Sequence, residues 1–435
     1  MKKSILTLAS ALLVAFSASA QKVEFEEYDL DNGMHVILHQ DNSAPVVITS
    51  VMYGVGGKDG NRKRTGFAHF FEHLLFEGTK NIGKGEWFKI VSSNGGRNNA
   101  NTSQDRTYYY EIFPSNKLEL GLWMESERLL HPIIKQQGVD TQNEVVKEEK
   151  RQGIRPYSNL VNEISKNIFK VHPYKDPNIG YMKDLDAATL EEFLAFNKKY
   201  YVPNNATLVV AGDIDFATTK KMIKDYFGPI PRGAEVVRTF PKEEPITKEF
   251  TAKAYDENIQ IPAVVVAYRT PSFKTRDSKV LDMISTYLSG GKSSVLYKKM
   301  VDTKKMALAA QAVNLSQQDY GIYALFALPL GEVTLDALVK EMDEEILKIQ
   351  TDLISERDFQ KIQNQFENNY VNANSSVVGI AESLASYHVM YGNTNLINSE
   401  IEVYRSITRE EIREVAKKYL NKNQRLILDY LPKKK

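Results

Sequence analysis

The sequence predicts an α+β protein built from two related domains, and three observations carry that reading. The chain has 435 residues, more than one hydrophobic core usually serves. An internal duplication runs without a gap: Thr189 to Val209 reads TLEEFLAFNKKYYVPNNATLV, and Thr408 to Leu428 reads TREEIREVAKKYLNKNQRLIL. Strand and helix patterns mix along the chain without strict βαβ alternation.

Each repeat opens with a threonine followed three residues later by a glutamate, the capping box of a helix start. Each runs through an amphipathic helix ending in Lys-Lys-Tyr and finishes in an apolar strand. Between the repeats, Pro229, Pro231, Pro241 and Pro245 lie among mixed charges and mark a linker. In the first half the pattern predicts strands near Met34–Leu38, Val46–Tyr53 and Thr107–Ile112, and a helix around Ala68–Phe76. Longer helices follow at Lys117–Leu129, Thr141–Gln152 and Asn159–Phe169. The second half predicts a strand at Ala263–Tyr268 and helices near Asp277–Leu288 and Leu335–Ile349.

Lys2 and Lys3 precede an apolar run from Ile5 to Phe16, and Ala18-Ser19-Ala20 supplies a small-residue cleavage site. Residues 1–20 therefore read as a secretory signal peptide cut after Ala20. The run is shorter than the roughly 20 residues a membrane span needs, so no membrane anchor is expected. The expected destination is the periplasm, across the inner membrane. With no cysteine, disulfides and lipid attachment at a thiol are excluded, and any metal has to be held by His, Asp or Glu. A formal net charge of +1, spread along the chain, excludes a nucleic-acid footprint.

The segment Gly66 to Thr79, GFAHFFEHLLFEGT, places His69 and His73 four residues apart, with Glu72 just before the second. At about 100° per residue, His73 sits about 40° from His69 on a helix and Glu72 about 60° to the other side. Two imidazoles in that wedge can reach one zinc ion, while the carboxylate can activate an attacking water. This is the His-x-x-Glu-His order of inverzincins, which about one such sequence in a hundred would hold by chance. Phe70, Phe71, Leu74, Leu75 and Phe76 would bury the helix and dry its metal face. A catalytic site needs a third protein ligand. Gln142 to Gln152, QNEVVKEEKRQ, offers Glu144, Glu148 and Glu149, and spacing alone does not choose among them. The other five histidines, His35, His39, His131, His172 and His388, stand isolated and read as surface or core residues.

GFAHFFEHLLFEGT, GGRNNANTSQDRTYYYE and NEVVKEEKRQ, in that order, resemble the insulinase/pitrilysin family of zinc peptidases. The likeness is closest to shorter bacterial chains similar to the mitochondrial processing peptidase. It extends to GGKSSVLYKKM at Gly290–Met300. The resemblance implies two domains, each a mostly antiparallel sheet packed with helices, together forming half of a clamshell. Their expected bounds are 21–230 for the zinc-binding catalytic domain, 231–250 for the linker and 251–435 for an inactive homologous domain.

By resemblance, one zinc per chain is held by His69, His73 and Glu149, with Glu148 the runner-up and Glu72 the base. The resemblance also implies that Gln142 supports the ligands by hydrogen bonding, where many relatives carry a glutamate. Asn99 and Ala100 are expected on a strand that pairs with extended peptide substrate. Clamshell relatives carry an arginine and a tyrosine, seven apart, that bind substrate. Here those positions hold Val301 and Leu308. A second family subunit, in a homo- or heterodimer, is therefore expected to supply the pair. The competing expectation is a non-catalytic scaffold or peptide-binding homologue, against which the intact Glu72 argues. A zinc-storage protein would carry a His-rich loop, and none is present.

Overall fold

The computed structural model describes residues 22–60 and 63–433, so the expected signal peptide at 1–20 lies outside the described residues. Eleven strands are present among them. The first half holds β1 (Glu26–Asp29), β2 (His35–Gln40), β3 (Val46–Tyr53), β4 (Arg97–Thr102), β5 (Thr107–Pro114) and β6 (Ala206–Gly212). The second holds β7 (Phe250–Asp256), β8 (Ala263–Pro271), β9 (Ala307–Ser316), β10 (Tyr320–Pro329) and β11 (Arg425–Pro432).

The strand orders are β1-β2-β6-β3-β5-β4 and β7-β11-β8-β10-β9. Apart from the added β1, the two orders superimpose strand for strand. In both sheets the first and last strands of the repeat pair in parallel, β2 with β6 and β7 with β11, and every other pairing is antiparallel. The duplicated segments sit at equivalent places. Helices Leu190–Tyr200 and Arg409–Tyr419 both start in full capping boxes, Thr189 with Glu192 and Thr408 with Glu411. Each leads into a central strand. All seven residues of β6, ATLVVAG, are buried, as expected of a strand covered on both faces.

One face of each sheet packs on helices of its own half. Phe70, Phe71, Leu122 and Ile223 belong to the first such core, and Leu281, Leu338 and Ala416 to the second. The other faces are exchanged. Helix Val377–Ser386, from the second half, lays Ile380, Ala381, Leu384 and Ala385 against Ile37, Ile48, Val209 and Ala211 of the first sheet. Helix Leu160–Ile168, from the first half, lays Ile164 and Ile168 against Val265, Leu426 and Leu428 of the second.

Polar contacts reinforce that junction. The Lys58 ammonium, 2% exposed at its side chain, lies 2.9 Å from Asp105 and 2.8 Å from Asp319 on the β9–β10 turn. Residues 231–249 contain neither helix nor strand. They are nonetheless strapped down: the Glu243 carboxylate accepts from the backbone N–H groups of Lys170, Val171 and His172 and from the Arg269 guanidinium. No helix among the described residues is long and apolar enough to cross a membrane.

Candidate active site

Helix Phe67–Leu74 buries Phe67, Ala68, Phe70, Phe71 and Leu74, which leaves His69, Glu72 and His73 on one half-buried face. It starts at Gly66, in the left-handed conformation (φ 84°). A Cβ there would lie 2.7 Å from the Ile179 carbonyl oxygen, so only glycine lets the loop through Pro177–Ile179 close against the helix. That loop forms one wall of the site.

The third donor, a carboxylate, comes from helix Gln136–Gln152, anchored by buried Val139 and Val146. The next turn after Val146 points Glu149 at both imidazoles. Its Oε1 lies 3.6 Å from His69 Nε2 and its Oε2 lies 3.3 Å from His73 Nε2. The two rings stand 5.0 Å apart at 69°. Hydrogen bonds from His69 and His73 hold the Glu149 carboxyl well below the usual carboxylate range. The alternatives turn away. Glu148 accepts from Arg151 and Gln152, and Glu144 from Lys147, all on the same helix.

This donor set fits a divalent metal. One nitrogen from each ring and a carboxylate oxygen lie within 4.8 Å of one another. Ligands at about 2.05 Å in a tetrahedron stand about 3.3 Å apart, close to both spacings here. His69 Nδ1 is buried with no hydrogen-bond partner among the described residues, so packing, not a carboxylate or carbonyl of theirs, orients that ring.

Glu72 adjoins this cluster. Its Oε2 accepts a 2.6 Å hydrogen bond from the Thr102 hydroxyl at the end of β4. Sequence reasoning does not single out Thr102; its position two residues past Ala100, on the same face of an alternating strand, is the available signal. Glu72, Ala100, Thr102, Glu149 and Asn178 line a groove of about 450 Å³. A cleft of about 870 Å³ continues from Glu149 and Ile179 to Tyr255 and Asn258 of the second half.

Among the described residues, strand β4 pairs with β5 alone and forms an open edge of the first sheet. Its Ala100 faces the groove, whereas the Asn99 amide oxygen accepts from the Ala100 N–H at 3.0 Å. Gln142 lies two turns before Glu149, and its amide donates to Glu77 at 2.6 Å, not to either histidine. Glu77 is also paired with Lys84 at 2.6 Å. In the second half, Val301 lies in a π-helical turn (Tyr297–Thr303) against the core, and Leu308 on edge strand β9 is 47% exposed.

Known proteins resemble this chain in sequence and fold. Residues 35–180 match the Insulinase (Peptidase family M16) family, and residues 187–366 match the Peptidase M16 inactive domain. The zinc protease PqqE of Helicobacter pylori is 30% identical over 396 residues, covering 89% of each chain. The crystal structure of a protease from Helicobacter pylori superimposes with a TM-score of 0.88 at 27% identity, over 94% of this chain and 99% of that one. The fold also recurs in the periplasmic protease PqqL of Escherichia coli, with a TM-score of 0.76 at 19% identity, over 93% of this chain and 47% of that one. With the duplicated α+β architecture and the His-x-x-Glu-His helix facing a distal glutamate, these matches show that the chain belongs to the insulinase (M16) family of peptidases.

Proposed function

We propose that this protein is a zinc-dependent endopeptidase that cleaves extended peptides or unfolded protein segments. The observation that carries this reading is Glu149. It comes from a separate helix, yet its two carboxylate oxygens each face one imidazole Nε2 of the histidine helix. His69, His73 and Glu149 would hold the ion. Bound there, zinc would supply Lewis-acid polarisation of a peptide carbonyl and favour ionisation of water.

The remaining steps belong to the chain. Glu72 takes the proton from the attacking water and delivers it to the leaving amine. Thr102 fixes the carboxylate oxygen that it contacts. The open edge of β4 takes an extended peptide as an added strand, with Ala100 at the groove floor. For that, the Asn99 amide must release the Ala100 N–H to the substrate. Residues 1–20 direct export to the periplasm.

A second subunit of the same family would complete the substrate site. Neither Val301, packed on the core, nor Leu308, an exposed aliphatic, can donate a hydrogen bond to an oxyanion from its side chain. That this fold matches about half of the PqqL chain supports reading the protein as one half of a larger enclosure. The same two residues favour the second reading, a peptide-binding homologue without catalysis.

A quenched fluorescent peptide assayed with and without chelator, alone and after native co-purification, tests both readings. Glu72→Gln should keep one zinc at the His69/His73/Glu149 site and lose activity by about 10²–10⁴-fold. His73→Ala should lose the metal itself. Turnover that survives Glu72→Gln, or full activity in a strictly monomeric chain, would refute the base assignment or the partner respectively.

A further inference from the structure

A second cluster lies where the two halves meet, away from the groove. On the first sheet, Asp29 of β1 stands directly opposite His35 of β2, and Glu27 follows two residues along on the same face. The Asp29 carboxylate lies 2.8 Å from His35 Nδ1, and Glu27 Oε2 lies 3.3 Å from His35 Nε2. His388 arrives from the second half on a π-helical turn, Tyr387–Tyr391, a rare geometry often found at functional sites. It stacks on His35 with ring centres 3.5 Å apart and planes within 7°. No sequence pattern points to this pairing, because two isolated histidines are brought together only by the crossing of helix Val377–Ser386 onto the first sheet.

We propose that Glu27, His35 and His388 form a second divalent transition-metal site that ties the two halves of the chain together. The donor chemistry repeats that of the first cluster: two imidazoles and one carboxylate, with donor atoms within 4.8 Å of one another. The Glu27–His35 spacing equals the 3.3 Å between Glu149 and His73. Asp29 adds what the first cluster lacks at His69. A carboxylate on Nδ1 fixes the tautomer and turns the Nε2 lone pair toward Glu27.

Stacked rings do not aim their lone pairs at one point. Ion capture therefore swings His388 out of the stack, toward a spacing like the 5.0 Å of His69 and His73. A cavity of about 510 Å³ bordered by Asp29, His35 and His388 leaves room for that turn, and the weak 3.4 Å contact to Thr394 does not oppose it. Two imidazoles with one carboxylate select zinc, or cobalt and nickel in its place, over magnesium or calcium.

The test is zinc stoichiometry of the full chain, stripped of metal and dialysed against buffered zinc. The wild type should hold two zinc ions per chain. Glu27→Gln, at an exposed strand position, and His388→Ala should each hold one. His69→Ala with His73→Ala should also hold one, and adding His388→Ala to that pair should leave none. In the His69→Ala/His73→Ala background, zinc should still raise Tm, and Glu27→Gln should abolish that shift. A His69→Ala/His73→Ala chain that takes up no zinc overturns the proposal, as does a zinc in that background that persists when Glu27→Gln or His388→Ala is added. Because the first cluster is removed separately, loss of binding there does not alter the outcome for this site.

Discussion

The Thr102 hydroxyl donates a 2.6 Å hydrogen bond to the Glu72 carboxylate, joining the open edge of the first sheet to the helix that carries both histidines. A hydrogen bond to a charged group is worth about 1.5–3 kcal/mol. If Glu72 moves the proton, Thr102→Val should lower kcat by about 10–100-fold, with zinc content unchanged. Thr102→Ser should restore most of the rate. Steady-state kinetics on a fluorogenic peptide, with metal analysis of each variant, separates this positioning effect from loss of fold.

The family resemblance implies a glutamate at the position of Gln142, and introducing that residue should harm this protein. The Gln142 amide donates to Glu77, whose other oxygen pairs with Lys84. Gln142→Glu sets two carboxylates about a hydrogen-bond length apart, and one of them gains a proton or repels the other. Tm should fall at neutral pH and recover as the solution is acidified toward about pH 5, where a shared proton relieves the clash. Adding Glu77→Gln should recover it at neutral pH. Thermal melts across pH read both outcomes.

Behind the histidine helix, the fully buried Arg128 bridges Glu111 at 2.8 Å and Glu125 at 3.1 Å. Its guanidinium stacks over Trp87, Tyr109 and Phe76 at 4.1–4.6 Å. Burial and the facing Glu125 push the Glu111 carboxyl well above the usual range. Arg128→Met leaves two carboxyls without a cation and should cost about 3–5 kcal/mol. Arg128→Lys should not rescue it, since an ammonium has no planar face to stack on three rings. Chemical denaturation measures the difference.

Asp319 reports on the junction between the halves. Burial raises its pKa, but His172 and Lys58 overcome that and hold the carboxyl below its ordinary value of 3.8. A group lowered in the folded state contributes stability that is fully present above the unfolded pKa and is lost as pH falls through the folded one. Asp319→Asn should therefore destabilise the protein by about 1–3 kcal/mol near pH 6. The gap to wild type should narrow only below about pH 3.8. A gap that is constant from neutral to strongly acid pH would contradict this ion-pair account.

Much of the architecture was legible because local signals agreed with the final packing. The capping boxes at Thr189 and Thr408 and the apolar strands after them lie at matching places in matching sheets. His69, Glu72 and His73 were legible from helical spacing alone. Glu149 was not, because three glutamates on one exposed helix look alike until the helix is docked. Family resemblance singled out Glu149, and only the structure turns it toward the rings. Strand β4 was legible only through the resemblance that puts Asn99 and Ala100 on a strand: by composition RNNANT has low strand propensity, and it is extended because β5 pairs with it. Thr102 and the His35–His388 stack were beyond reach for a related reason, since each depends on a contact between distant segments.

The exchange of helices between the sheets sets how this molecule can breathe. Pulling the halves apart would strip Ile380 and Leu384 from one sheet and Ile164 and Ile168 from the other, at roughly 1.5–3 kcal/mol for each large side chain laid bare. A protease nick within 231–249 should thus leave both fragments in a single particle under native conditions. Admission of a peptide by a wide hinge inside one chain is closed off by the same arithmetic. Were a second subunit to cover the groove, the moving seam would lie between the two polypeptides and not within this one.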